Sequence, residues 1–144
     1  MNIFKIYTVG KMSGLTYEEQ MGWRRNIENR VRYKADVPVQ FIHPPLFYGY
    51  HQKLHKTESE IKEWELNQVL SSDIIIVNLD GINESVGSHF EMGAVNAMNM
   101  FGNRHIFVVG IGDSAVHPWI DLSFIRRESN IEDAADYIAS YLLV

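Results

Sequence analysis

The sequence predicts one α/β domain built on a five-stranded, mostly parallel sheet with helices on both faces. Three observations carry this expectation. Ile74 to Leu79 is an almost unbroken β-branched apolar run, the pattern of a strand covered on both sides. Short apolar runs alternate along the chain with stretches that open on helix-capping sequences, the order expected of successive β-α-β units. The 144 residues hold no internal repeat, low-complexity tract or linker-like shift in composition, so a second domain is not expected.

Taken in order, Phe4 to Val9 reads as the first strand and Gly10 to Gly14 as the loop that leaves it. Thr16-Tyr17-Glu18-Glu19 is a capping box that opens a helix to about Tyr33. Val39 to Ile42 reads as a short second strand, ended by His43-Pro44-Pro45. An aromatic loop with Phe47, Tyr48 and Tyr50 leads to a helix from about Thr57 to Leu70, again with a T-x-x-E start. The third strand, Ile74 to Leu79, is followed by a polar loop and a helix whose first turn holds Glu91. His105 to Val109 reads as a fourth strand and Gly110 to Pro118 as a loop. A short strand near Ser123 to Ile125 and a capped helix from Ile131 to Leu143 complete the alternation.

Composition narrows the function classes. The chain is long enough to bury a core without disulfides or metals. It has no cysteine, and so no redox motif or thiolate metal site. A formal charge of −5 argues against broad nucleic-acid binding. Arg24, Arg25, Arg30, Arg32 and Lys34 on the first helix are interspersed with Glu18, Glu19 and Glu28, the pattern of a solvated face. The amino terminus lacks a long apolar core and no apolar run reaches bilayer length, so a soluble, cytoplasmic protein is expected, with neither membrane nor nucleic acid as partner. His51 and His55 have i, i+4 spacing but no third ligand or acid cluster beside them, so no metal site is expected.

The chemistry-bearing residues follow the third strand. Loops at the carboxyl ends of strands line the crevice of an open α/β sheet, which places Asp80, Asn83, Glu84, Ser85, Gly87, Ser88 and Glu91 together. Two readings of Glu91 are open. Ser88-His89-Phe90-Glu91 has the form of a capping box, in which the glutamate folds back on the serine amide. Alternatively the carboxylate faces a ligand, its charge favoured by the amide dipoles of the helix start. Gly87 lets a ligand approach the backbone, and Gly93, Ala94 and Ala97 allow close packing of the helix on the sheet. In the first loop, Gly10 and Gly14 expose amides suited to a sugar or phosphate, with Lys11, Met12 and Ser13 between them. Lys11 either meets an anion or is solvated. Phe41, His43, Phe47 and the rings that follow either stack on a nucleobase or pack in the core.

Tyr7-Thr8-Val9-Gly10-Lys11-Met12-Ser13-Gly14, Ser72-Asp73 before the third strand, and Gly87-Ser88-His89-Phe90-Glu91-Met92-Gly93 resemble the Y-x-x-G-x-[IM]-x-G and G-x-x-x-E-[LM]-G signatures of one family. It is that of the nucleoside 2-deoxyribosyltransferases and the related deoxynucleoside 5′-monophosphate N-glycosidases. The resemblance spans nearly the whole chain, with its specificity in the first fourteen residues and in 65 to 97. It implies a flavodoxin-like, Rossmann-like fold and a homodimer or higher homo-oligomer in which a neighbouring subunit completes the pocket, with Asp121 and Ser123 near that contribution. It implies no cofactor.

By the same resemblance, Glu91 would attack C1′ of a deoxyribose to give a glycosyl-enzyme intermediate, and Tyr7 would lie close to it. Glu65 stands where the family commonly has an aspartate that moves protons to and from the base, one methylene longer here. Ser85 stands six before the nucleophile, where nucleoside transferases have aspartate and monophosphate glycosidases have serine, which admits a 5′-phosphate. Glu84 beside it would repel phosphate if it faced the pocket. The expected activity is cleavage of the N-glycosidic bond of a 2′-deoxynucleoside or its monophosphate, with transfer to another base or to water. A non-catalytic nucleotide-binding sensor of the same fold is the alternative, and a purely structural oligomer the third.

Overall fold

The computed structural model describes residues 2–48 and 55–144. Five strands, β1 (Phe4–Val9), β2 (Val39–Ile42), β3 (Ile74–Asn78), β4 (Phe107–Ile111) and β5 (Arg126–Glu128), form a sheet in the order β2-β1-β3-β4-β5. Every pairing is parallel, with Ile6 beside Ile74 and Ile74 beside Phe107. This is the flavodoxin-like order, in which successive connections reverse direction between β1 and β3 and open a crevice at their carboxyl ends.

The helices are α1 (Tyr17–Lys34), α2 (Pro44–Tyr48), α3 (Glu58–Leu70), α4 (Val86–Phe101), α5 (Pro118–Asp121) and α6 (Ile131–Tyr137), the last running on into π-type turns over Ile138–Leu142. Strand residues alternate between two cores. Ile6, Ile74, Ile76 and Val109 pack with Ile27 and Val31 of α1 and Ala134 and Ala135 of α6. Tyr7, Ile75, Val77 and Val108 pack with Val69 of α3 and Met92 and Val95 of α4. Both faces of β3 are therefore covered, as its apolar run requires, and each fully buried isoleucine contributes roughly 1.5–3 kcal/mol.

Capping residues set the helix starts. The Thr16 hydroxyl accepts from the Glu19 amide while Glu19 accepts from the Thr16 amide, the reciprocal box read from the sequence. Thr57 caps α3 through the Glu60 amide. At α4 the reading is corrected. Ser85, not Ser88, is the cap, and its hydroxyl accepts from the Ser88 amide at 3.4 Å. The helix thus begins three residues earlier, Glu91 lies in its second turn, and the fold-back of Glu91 onto Ser88 is not made.

Other expectations shift for physical reasons. The fourth strand lies two residues later than read, because Gly110 and Ile111 continue the apolar run into the sheet. The last strand is the charged edge segment Arg126–Glu128 rather than the apolar Ser123 to Ile125, whose Phe124 packs on the core instead. Met100 and Phe101, in the last turn of α4, are exposed. The ring-rich loop is described only in part. Phe47 stacks on Trp64 at 3.9 Å, which favours packing on α3, whereas Tyr50 and His51, and with His51 the i, i+4 spacing to His55, lie outside the described residues. Among the described residues no metal-ligand cluster occurs and no helix is long and apolar enough to cross a membrane.

Candidate functional site

Two adjoining hollows meet at Glu91. One, of about 270 Å³, lies over the β1/β3 crevice and is lined by Gly10, Lys11, Met12 and Ser13 of the first loop, by Glu84 and Ser85 of the third, and by Gly87, Ser88 and Glu91 of α4. The other, of about 220 Å³, runs between α3 and α4 and is lined by Ile61, Glu65, Leu66, Val86, Phe90 and Glu91. Glu65 and Glu91 border both. The polar half suits a sugar or phosphate and the apolar half a flat ring.

Local structure accounts for the loops. The first turns through Met12 to Leu15, closed by the Leu15 amide on the Met12 carbonyl at 3.2 Å, with Gly14 at φ +79°. The third turns at Gly81, φ +70°, where a side chain would meet more than backbone strain: a Cβ there would lie 2.9 Å from Lys11 Cδ. Lys11 is thereby laid against the third loop, and its Nζ meets Glu84 Oε2 at 2.7 Å, which draws the Glu84 pKa below its ordinary value. Glu84 does face the mouth of the polar hollow, and Lys11 neutralises it. Ser85 and Ser88 share a hydrogen bond between their hydroxyls at 2.7 Å.

Glu91 is 8% exposed, and its Oε2 accepts no hydrogen bond of ordinary geometry among the described residues. Burial, and then the charge of Glu65, push its pKa up to about 8, while the Tyr7 hydroxyl and Arg24 pull the other way. The sequence reading expected the helix dipole to hold this carboxylate ionised. That is corrected, because the group sits one turn too deep for the dipole and is desolvated.

Of the residues singled out in the sequence, Tyr7, Glu65, Glu91, Gly10 to Ser13, Ser85, Gly87 and Ser88 come together here. Gly14 shapes the turn but does not line either hollow, and Asp80 is exposed beyond the end of β3, its amide turned to Asn78 Oδ1. His89 is tied by Nδ1 to the Ser85 carbonyl at 2.7 Å. Asp121 pairs with Arg127, and Ser123 bonds to Asn96 and the Trp119 carbonyl.

Arg24 was assigned to a solvated face and is instead fully buried. Its Nε donates to Thr8 Oγ1 at 3.1 Å, one terminal nitrogen to the Gln20 carbonyl at 2.6 Å and the other to the Gly10 carbonyl at 3.3 Å. Burial lowers its pKa to about 10, so it stays charged, and Tyr7, Glu91 and Glu65 oppose that lowering. The missed signal was positional. Met21, Arg24, Ile27 and Val31 form one helical stripe, and a charge on that stripe is buried.

No protein-family model matches the chain, and no curated protein matches it. Among solved structures the chain is similar to a conserved protein from Enterococcus faecalis V583, with a TM-score of 0.76 and 17% identity over 96% of this chain and 99% of that one. It also matches an FMN-dependent NADH-azoreductase from Bacillus anthracis str. Ames Ancestor, in complex with FMN, with a TM-score of 0.48 and 12% identity over 100% of both chains. The first likeness is one of fold, and the second is too distant to add to it.

Proposed function

We propose that the protein cleaves the N-glycosidic bond of a 2′-deoxynucleoside or its 5′-monophosphate through a covalent glycosyl-Glu91 intermediate. The observation that carries this reading is the Glu91 carboxyl group, buried at the junction of a polar and an apolar hollow beside a second acid, with one oxygen left unbonded. Gly10, Met12, Gly87 and Glu91 of the resembled family's signatures also line these hollows.

In this mechanism the acid pair carries one proton. At rest that proton lies on Glu91, beside the charge of Glu65; it first passes to Glu65, and Glu91, then ionised, attacks C1′ as the bond to the base breaks while Glu65 gives the proton to the departing base. Positive charge developing on the sugar is met by the Glu91 carboxylate. In the second stage the nitrogen of another base, or water, attacks C1′, gives its proton to Glu65 and frees Glu91. Tyr7, by hydrogen bonding, favours the charged form of the nucleophile. No step needs a cofactor.

A homo-oligomer belongs to the same proposal. Val86, Phe90, Met100 and Phe101 form an exposed apolar face along α4, and Val86 and Phe90 also line the apolar hollow. A second copy seated there would close that wall. A cytoplasmic, small-molecule role belongs to the same proposal.

The test is incubation with deoxynucleosides and their monophosphates, each with and without a second free base, followed by product identification. New nucleoside marks transfer, free deoxyribose or its phosphate marks hydrolysis, and unchanged substrate throughout would contradict the reading. One observation favours a second function. A Glu91 protonated at neutral pH is a good hydrogen-bond donor to a bound base, so tight nucleotide binding without turnover would assign the protein as a sensor.

A further inference from the structure

The apolar hollow carries a charged rim that the proposed chemistry does not use. Besides its apolar walls it is lined by Glu58 and Lys62 of α3 and by Gly87 of α4. Glu58, Lys62 and Glu65 stand at i, i+4 and i+7 and so follow one stripe of α3. Along the helix axis Lys62 lies about 4.5 Å, and Glu58 about 10.5 Å, from Glu65. Glu65 and Glu91 border both hollows and mark the inner end of the stripe. Glu58 and Lys62 line the apolar hollow alone and mark its outer end.

Neither outer side chain is occupied by the fold. Lys62 is half exposed, and its one ion partner among the described residues is the adjacent Glu63, at 4.0 Å. The Glu58 carboxylate makes no hydrogen bond or ion pair among the described residues, the cap of α3 being closed by Thr57 and the Glu60 amide. Glu58 and Lys62 have the spacing of a helical Glu–Lys pair, yet no bond joins them. On the facing wall Gly87 leaves room for a flat ring, since a β-carbon there would meet nothing within 4 Å. With the glycosidic bond at Glu91, the edge of the base farthest from the sugar faces Lys62 and Glu58.

An ammonium and a carboxylate at that edge select by the pattern of donors and acceptors. Guanine presents a 6-oxo acceptor beside two adjacent donors, its ring N–H and its 2-amino group, which one carboxylate accepts together. Adenine and cytosine set a ring-nitrogen lone pair beside their amino group, and thymine flanks its single N–H with two carbonyls. Each of these turns a lone pair toward the carboxylate. We propose that Lys62 and Glu58 are specificity-determining residues and that the base they select is guanine, Lys62 donating to the 6-oxo group and Glu58 accepting from the ring N–H and the 2-amino group. This deepens the proposed function and rests on it for the placement of the sugar.

The test compares the deoxynucleosides of guanine, hypoxanthine and adenine, and their 5′-monophosphates, on the wild type, Lys62→Met and Glu58→Gln. Both substituted residues are exposed, so the fold is expected to survive. Base release gives kcat/KM and calorimetry gives affinity on the same samples. The wild type is expected to favour guanine over adenine about tenfold or more, with hypoxanthine, which lacks the 2-amino group, between them. Glu58→Gln is expected to cut the guanine-to-adenine ratio about tenfold and to bring guanine level with hypoxanthine; Lys62→Met is expected to cost both 6-oxo bases several-fold and adenine little. Base release without a guanine preference, or with a preference that neither variant changes, overturns the assignment and leaves the proposed function standing. Guanine-selective binding that both variants weaken, with no base released, supports the assignment and overturns the proposed cleavage. Neither binding nor release with any of the six compounds overturns both.

Discussion

Glu65 on α3 and Glu91 on α4 border the same two hollows, and the charge of Glu65 is second only to burial in raising the pKa of Glu91. Two acids that discourage each other from ionising titrate as a pair, with one proton held over a broad range of pH. A nucleophile beside a proton donor needs that state.

The pH dependence of base release follows. In the proposed mechanism the singly protonated pair is the active form, so kcat/KM is expected to rise through the lower pKa of the pair and to fall through the upper one, at about 8. Glu65→Gln removes both the proton donor and the charge that raises Glu91. The variant is expected to lose roughly a hundredfold or more in rate, to begin ionising at lower pH, and to lack the falling limb. A pH–rate series on wild type and variant checks this.

Stability carries the same signature without substrate. A glutamate in the unfolded chain ionises near 4.5, whereas Glu91 in the folded protein ionises at about 8. Between these values the folded state holds a proton that the unfolded chain has released, so stability falls as pH rises through this window and levels off above it. At about 1.4 kcal/mol per pKa unit the full decline is of the order of a few kcal/mol. Glu91→Gln has no such proton. It is expected to melt near the wild-type temperature at pH 5 and several degrees above it at pH 9, as thermal denaturation would show.

In the proposed function the Lys11–Glu84 pair bears on the 5′ end of the substrate. Glu84 is largely exposed at the mouth of the polar hollow and neutralises Lys11, the one cation among the described residues that lines it. Glu84→Gln is expected to lower KM for a 5′-monophosphate several-fold and to leave KM for the free nucleoside nearly unchanged, because only the phosphate gains from a released lysine. Steady-state kinetics on the two substrates checks it.

The α4 face predicts its own disruption. Phe90→Asp and Met100→Asp place charges on an apolar surface that is already exposed in the single chain. They are expected to preserve the fold and to shift the protein from oligomer to monomer in sedimentation, with a loss of base release greater for Phe90→Asp, since that residue also lines the hollow.

Much of the fold was legible because its signals are local. β1 and β2 occupy the segments read from their apolar patterns, and Thr16 and Thr57 cap where their sequences say they should. The start of α4 was misread because Ser85 and Ser88 offer the same capping hydroxyl, and Gly87 in the first turn looks like loop. The edge strand β5 was misplaced because its residues are charged and its place is set by pairing with β4. At the site, the residue types that line the hollows are visible in the chain, whereas their charge states are not. Glu91 ionises late because of what surrounds it. Arg24 faces inward because Thr8 and two backbone carbonyls, supplied by β1, the loop after it and α1 itself, accept its hydrogen bonds.

The covalent step is open to direct observation. Protein mixed with a deoxynucleoside, quenched in acid within a turnover and digested, is expected to yield the peptide containing Glu91 heavier by one deoxyribosyl group, and Glu91→Ala is expected to lose both the adduct and about a thousandfold or more of base release. Wild-type base release by Glu91→Ala, with no adduct on the native peptide, would contradict the account.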